Sequence, residues 1–270
     1  MSAPPIFVGG APRSGLTLLR AMLDSHPRIA CGPDLLVLPA IALKWQQFHK
    51  ELRHTHERFY HLSPDQVRQH FATLIETFFA DLLAATGKRR AAEKSSINAL
   101  AFGPLASLFP DSPVIHVIRD GRDVVASLLA RDWRDPRTGQ PLPYTQDAGQ
   151  AATYWASFVQ HGRAAASHPD AAPRYHELRY EALVRAPQET LGPLLDAIGE
   201  PWSETVLRFH ETARVYTGME TASAAALGRP LSSAAVGRWR RDLDPAQRAA
   251  VKRAAGPLLI DLGYSRDLNW

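Results

Sequence analysis

Residues 7–24, FVGGAPRSGLTLLRAMLD, restrict the fold more than any other stretch of the chain. Ile6, Phe7 and Val8 form a short apolar run suited to a buried strand. Gly9, Gly10 and Gly15 frame the turn that follows. A helix is expected to open at Thr17, because Leu18, Leu19, Met22 and Leu23 recur at helical spacing. Strand, glycine-containing turn and helix together aim free backbone N–H groups and the positive end of a helix dipole at an anion. The spacing from Gly10 to Gly15 has the frame of a Walker A loop, GxxxxGK followed by Ser or Thr, with Leu16 in the lysine slot. A leucine cannot reach a phosphate, so the stretch reads as an anion cradle without nucleotide triphosphatase chemistry. Arg13 and Ser14 put side-chain donors inside the loop instead. The competing reading is a tight strand–helix turn whose glycines serve packing alone.

A second block, residues 110–132, repeats the pattern. Val114, Ile115, Val117 and Ile118 suit a strand buried on both faces of a parallel sheet, interrupted by His116. Arg119 stands at the carboxyl end of that strand, where ligands sit in open α/β sheets. Ser127 and Arg131, four apart, are expected on one face of the helix that follows. Arg and Ser converging there make a second phosphate site, against the plainer reading of a surface Arg–Asp network. Two anion sites on two strands of one sheet suit a ligand with phosphates at both ends. The fold class is therefore α/β, a P-loop-like parallel sheet flanked by helices.

With 270 residues, 45% hydrophobic and 21% charged, the chain can bury one core, and residues 1–270 read as a single domain. A net charge of +4 suits anionic ligands and is too small to argue for nucleic acid. The eleven histidines form no HExxH or Cys/His cluster, so no metal site is expected. One cysteine, Cys31, excludes an intrachain disulfide and fits a reducing compartment. The opening MSAPPIF lacks a basic region with an apolar tract, and no apolar run approaches the roughly 18 residues of a membrane span. A cytoplasmic protein without a membrane span is the expectation.

Elsewhere the chain reads as scaffold. Residues 28–39 form a turn with an apolar stretch, in which Asp34 is either a helix cap or part of a site. Residues 40–58 suit a helix whose His54 and His56 are solvated. Ser63, Pro64 and Gln66 make a capping box for a second helix that should stop near Gly87. Val67, Phe71, Leu74, Ile75, Phe78 and Phe79 are expected to pack into the core from it. These helices, about 40–90, look like an insertion. Lys88, Arg89 and Arg90 read as a solvated end, and residue type alone makes Lys94 a surface lysine. Residues 132–148 read as a loop and 151–168 as a helix. Residues 175–180 suit a strand, while 245–255 and 258–262 suit closing helices. Residues 218–233 are rich in Ala, Ser and Gly, and the basic Arg238–Trp239–Arg240–Arg241 follows, so a mobile lid is expected over about 212–241.

IFVGGAPRSGLTLLRAMLDSHP, VIRDGRDVVASLL, LRYEALV and RPLSSAAVGRW, in that order, resemble the sulfotransferases that use 3′-phosphoadenosine 5′-phosphosulfate (PAPS). The likeness is strongest to the tyrosylprotein sulfotransferases, here in a bacterial, single-domain form, and covers nearly the whole chain. It implies the sulfotransferase fold, adenosine 3′,5′-bisphosphate as a product, no metal, and a phenolic acceptor in a peptide or small molecule. A homodimer is one arrangement open to it. By resemblance, Arg13, Ser14, Gly15, Leu16 and Thr17 hold the 5′-phosphosulfate, and Arg119, Ser127 and Arg131 the 3′-phosphate. Tyr180 and Arg238 belong to the same pocket. Asp34 matches the second Glu of a CGEE turn, the general base, and Lys94 matches a catalytic lysine in an NKDP stretch. With Arg13, these make the expected catalytic set. His116 is the runner-up base, although a histidine in a buried strand is expected to pack in the core.

The departures from that pattern bear on the acceptor. RSGTT has become RSGLT, which removes one hydroxyl beside the cofactor. CGEETR has become Cys31–Gly32–Pro33–Asp34–Leu35–Leu36, with a shorter base and Leu36 where an arginine receives acidic peptides. Ala92 stands where secreted relatives carry the cysteine that pairs with the Cys31 position. Sulfation of a phenol is thus better supported than sulfation within an acidic protein segment, and a small metabolite, glycan or lipid hydroxyl stays open. A P-loop kinase or nucleotidase is opposed by Leu16 and by the lack of an apparent Walker B strand ending in Asp. A non-catalytic PAPS-binding module is opposed by Asp34 and Lys94.

Overall fold

The computed structural model describes residues 3–212 and 227–270. Among the described residues, five parallel strands form one sheet in the order β2–β3–β1–β4–β5: β1 (Ile6–Gly9), β2 (Ile29–Cys31), β3 (Arg90–Lys94), β4 (Val114–Ile118) and β5 (Tyr175–Arg179). Parallel neighbours need crossovers, and helices supply them. Helix α1 (Leu16–Ser25) links β1 to β2. Helices α2 (Val37–Glu51), α3 (Arg53–Phe59) and α4 (Pro64–Thr86) link β2 to β3, and α5 (Asn98–Leu108) links β3 to β4. Helices α6 (Gly121–Leu129) and α7 (Ala148–Ala164) lead to β5, and α8 (Tyr180–Arg185), α9 (Pro187–Ala197), α10 (Phe209–Thr212), α11 (Trp239–Asp242) and α12 (Pro245–Asp261) follow it. The chain turns from one side of β1 to the other between β3 and β4. The crevice above β1 is therefore the place where such a sheet takes ligands.

Alternation along the strands divides the core into two layers. Phe7, Ala91, Val114 and Ile118 face α2, α4, α5, α6, α7 and α12. Ile6, Val8, Ala92, Ile115 and Val117 face α1, α8 and α9. Each large apolar side chain so buried contributes roughly 1.5–3 kcal/mol, which fixes the register that sets Val8 beside Lys94 on one side and Ile115 on the other.

The capping box at Ser63 forms as expected, and α4 ends at Gly87 with φ of 68°. Leu74 and Phe78 are a correction: they are exposed, while Val67, Ala72, Ile75 and Phe79 form the buried stripe. At about 100° per residue, Leu74 and Phe78 each lie one residue before the buried Ile75 and Phe79 and so turn toward solvent at the edge of that face. The helix expected over 40–58 begins at Val37 and is broken near Leu52, and the two closing helices are one. Of residues 88–90, Arg89 is exposed as expected, while Lys88 is half-buried and donates to the Ile29 carbonyl at 2.8 Å. Arg90 is buried, donating to the Pro4 carbonyl at 2.7 Å, to the Ile198 carbonyl, and to Glu200 at 3.2 Å. β2 and β3 are strands that the sequence pattern did not announce.

Of the expected lid, residues 213–226 lie outside the described residues. The part that follows is tied down. Asp123, fully buried, accepts from the Gly237 amide at 2.7 Å and the Trp239 amide at 3.0 Å, and Arg119 donates to the Ala235 carbonyl. No helix among the described residues is long and apolar enough to cross a membrane.

Candidate active site

The loop after β1 is built by two left-handed residues, Arg13 at φ 72° and Gly15 at φ 95°. A side chain at Gly15 would strike the Tyr180 ring, since its Cβ would lie 2.3 Å from Cδ2. Glycine is thus demanded twice, by backbone angle and by space. Helix α1 starts at Leu16 rather than Thr17, with Gly15 as N-cap and no side chain capping the first turn. Leu16 itself is buried among the apolar residues beneath. Its side chain serves the core, so only its amide is available to a ligand. Ser14 is fully buried and its Oγ has no hydrogen-bond partner.

Four guanidinium groups meet at this loop. Arg13 Nε donates to Ser127 Oγ at 3.0 Å. Burial pushes Arg13 down to about 10, and repulsion from Arg131, Arg119 and Arg238 adds to the shift. Arg119 is buried, donates to the Arg13 carbonyl at 3.0 Å and lies 4.5 Å over the Tyr180 ring, the first residue of α8. Its Nε, like that of Arg131, is buried without a hydrogen bond. Arg131 does not share the face of α6 with Ser127, because the helix ends at Leu129 and the Arg131 amide closes a turn onto Leu128. The tightened end still brings Arg131 within electrostatic reach of Arg13. Arg238 is held by Asp242 at 2.6 Å. Asp123, 3.9 Å from Arg119, and Asp242 offset part of this charge, but four guanidiniums in a partly dry site outnumber them and favour a further anion.

The second cluster stands on the other flank of β1. Lys94, at the end of β3, is buried and ion-paired with Asp34 in the turn after β2. The surface reading of Lys94 is corrected here, since the sheet covers its stem and Asp34 takes its charge. The Asp34 side chain is 29% exposed, open enough to meet an incoming molecule. Two residues missed in the sequence hold this turn. Glu93 accepts from the Leu35 amide at 3.0 Å and from Asn98 Nδ2, while Asn98 also donates to the Val8 carbonyl at 2.9 Å. The signal for Glu93 was a carboxylate abutting Lys94 at the end of a strand, which becomes visible once β3 is known to be one.

His116 lies elsewhere. It points into the layer containing Phe102 and Tyr175, with Nδ1 2.8 Å from the Tyr175 hydroxyl. Burial pushes it down to about 3, so it is a neutral core histidine. Cys31 is free and buried, and burial pushes its thiol up to about 12. Among the described residues, no group of three or more His, Cys, Asp and Glu side chains is placed to hold a metal ion.

Known proteins resemble this chain in sequence and in fold. Protein-tyrosine sulfotransferase A of Caenorhabditis elegans is 27% identical over 277 residues, covering 99% of this chain and 69% of that protein. Protein-tyrosine sulfotransferase 1 of Homo sapiens is 29% identical over 277 residues, covering 98% and 71%. In fold, the chain is similar to the sulfotransferase domain from the curacin biosynthetic pathway, with a TM-score of 0.63 at 23% identity over 96% of this chain and 98% of that one. A family model described as "Sulfotransferase family" matches residues 4–204, a span that carries both arginine-bearing turns and the Asp34–Lys94 pair. The chain belongs to the sulfotransferase family.

Proposed function

We propose that this sulfotransferase moves the sulfuryl group of PAPS to a phenolic hydroxyl, with tyrosine in a peptide or protein as the favoured acceptor. The observation that carries the proposal is the meeting of Arg13, Arg119, Arg131 and Arg238 at one end of a loop whose other flank holds an Asp–Lys pair. Ser14 Oγ, Arg119 Nε and Arg131 Nε are buried donors without hydrogen-bond partners, and a ligand anionic at both ends fits them.

In this reading Arg13, Ser14, Gly15, Leu16 and Thr17 hold the 5′-phosphosulfate, largely through backbone amides. Arg119, Ser127 and Arg131 hold the 3′-phosphate, and Tyr180 and Arg238 close the pocket. The cofactor, when bound, supplies a sulfuryl group activated on a phosphosulfate anhydride. Asp34 takes the proton of the acceptor hydroxyl. Lys94 and Arg13 offset the negative charge that gathers on the departing oxygen, as preorganised cations do in phosphoryl transfer. These groups supply the positive charge, so the proposal requires no metal ion.

The tyrosine reading is supported by the relatives named protein-tyrosine sulfotransferases. A small aromatic acceptor is the second reading, favoured by the mouth beside Asp34, where Leu36 and Val37 are 54% and 41% exposed. Transfer of labelled sulfate from PAPS across tyrosine peptides, simple phenols, sugars and alkyl alcohols tests both. Label on the sugars or alkyl alcohols alone would overturn the phenolic reading. No label on any acceptor, with adenosine 3′,5′-bisphosphate failing to bind by calorimetry, would remove the cofactor assignment as well.

A further inference from the structure

Asp34 is gripped twice from the end of β3. Lys94 holds its carboxylate, and the residue before it, Glu93, holds its backbone. The Leu35 amide that Glu93 accepts belongs to the peptide joining Asp34 to Leu35, so this bond fixes the chain on the carboxyl side of Asp34. Glu93 is 2% exposed, and its second oxygen is held by Asn98. Through Asn98 Nδ2 the same carboxylate is linked to the Val8 carbonyl on β1, next to the loop that bears Arg13. Asn98 is itself fully buried. A buried charge with two donors on it is a costly feature to keep for packing, because an apolar residue of similar size would pack there at less cost. We propose that Glu93 is a positioning residue for the transfer step, setting the direction of the Asp34 carboxylate relative to the loop after β1 through the Leu35 amide and Asn98.

This rests on the reading of Asp34 as the base. Its chemical logic is that two donors face Glu93, one on each oxygen, and a carboxylate accepts fully from both. An amide accepts through its oxygen alone and presents a hydrogen to the other donor, and a protonated carboxyl accepts only weakly through the oxygen that carries its hydrogen. Asn98 can turn its unpartnered Oδ1 toward that hydrogen, but it then loses the Val8 carbonyl. One bond of the latch is lost or weakened either way. Burial pushes Glu93 up to about 7, with Asp34 adding to the rise; the Asn98 and Leu35 hydrogen bonds and Lys94 oppose it. The ionisable groups facing it are Asp34 in the turn, Lys94 on its own strand and Cys31 on β2. Its protonation therefore falls near neutral pH.

The test uses the full chain. Glu93→Ala should speed exchange of the Leu35 amide proton, lower kcat by about 10- to 100-fold and leave the affinity for adenosine 3′,5′-bisphosphate within about twofold of wild type. Glu93→Gln should recover part of both effects. The wild type should lose kcat on acidification near pH 7, and Glu93→Gln should abolish that fall, since it mimics the protonated carboxyl at every pH. Unchanged Leu35 exchange in Glu93→Ala would overturn the proposal, and so would faster exchange with an unchanged kcat. If Glu93→Ala does not fold, a wild-type-like acid limb in Glu93→Gln would overturn it alone. The parent reading fails by a different sign: Asp34→Asn at the wild-type rate would remove the base, whatever Glu93 does to Leu35.

Discussion

Arg13 Nε donates to Ser127 Oγ at 3.0 Å across 114 residues of sequence, joining the loop after β1 to helix α6. The bond links the two arginine-bearing turns that the adjacent strands β1 and β4 deliver to one crevice. The Arg13 guanidinium is also pushed down by the other three arginines, after burial. An anion bound beside Ser127 is therefore felt at Arg13, and the two ends of a bis-anionic ligand are not read independently.

The first prediction separates those ends. Ser127→Ala and Arg131→Ala should each weaken adenosine 3′,5′-bisphosphate by about 1.5–3 kcal/mol, the worth of a hydrogen bond to a charged group. Adenosine 5′-phosphate, which lacks the 3′-phosphate, should lose much less. Calorimetry with both nucleotides checks this, and equal losses would take the 3′-phosphate away from these residues. Arg119→Ala should be less selective, because Arg119 also holds the carbonyls of Arg13 and Ala235 and stacks on Tyr180.

Lys94→Ala should abolish most turnover while adenosine 3′,5′-bisphosphate affinity changes by less than about 1 kcal/mol, as expected of a cation that acts on charge developed during transfer. The fold should survive, since Asp34 is 29% exposed and can turn to water once its partner is gone. Steady-state rates at saturating cofactor and acceptor decide the matter. Unchanged turnover would leave Lys94 as a structural ion pair.

Gly15→Ala meets two obstacles, a φ of 95° and the Tyr180 ring at 2.3 Å from the new Cβ. Strain of this kind costs about 1–3 kcal/mol. Urea unfolding should show that loss, and calorimetry should show nucleotide binding weakened with it, because the loop amides shift. Normal binding in a destabilised variant would mean that the amides of this loop do not hold the phosphosulfate.

Glu93 should leave its mark on stability as well as on rate. Burial holds its proton up to about 7 in the folded chain, against 4.5 for an unperturbed glutamate. The folded state thus keeps a proton that the unfolded state releases, so stability falls as pH rises through that interval. The effect is on the order of 3 kcal/mol for a group so buried. Glu93→Gln carries no such charge. Its stability relative to wild type should rise between about pH 4.5 and pH 7, as measured by denaturant unfolding at several pH values; a constant difference would contradict this assignment.

The parts of this molecule that could be read from sequence are those whose cause is local. β1, β4 and β5 are apolar or alternating runs that end in arginine or glycine turns, and the Ser63 capping box needs only four adjacent residues. β2 and β3 have no such local cause. β2 is three residues long, and β3 reads Arg–Ala–Ala–Glu–Lys, a pattern that is polar at both ends. Its charges are satisfied by Pro4, Ile198 and Glu200 at one end and by Asp34 at the other, all distant in the chain. Asp34 and Lys94 could therefore be paired only through resemblance to a family. Glu93, Asn98 and Asp123 were silent because each is tied to a backbone group distant in the chain, Leu35, Val8 and Gly237 respectively, which leaves no trace in residue type.

The final prediction concerns Asp34 and what it meets. An aspartate is one methylene shorter than the glutamate of the resembling turn, so an acceptor hydroxyl must come closer to it. Leu36 and Val37 stand exposed next to it, which makes the approach apolar rather than cationic. Asp34→Asn should nearly abolish turnover, since an amide cannot take the proton, while nucleotide affinity changes by less than about 1 kcal/mol. Asp34→Glu should keep part of the activity, because the longer acid reaches into a space shaped by a shorter one. For the native enzyme, rates on tyrosine peptides should be flat or fall as acidic residues are added beside the tyrosine. A steep rise with each added acid would refute the apolar mouth and bring basic groups to the acceptor side. Arg240 and Arg241 are the cations to replace in that event, because Arg238 is already committed to Asp242 and to the field around Arg13. A rate that instead follows the hydrophobicity of the flanking residues would place the acceptor against Leu36 and Val37, the surface that the turn after β2 leaves uncovered.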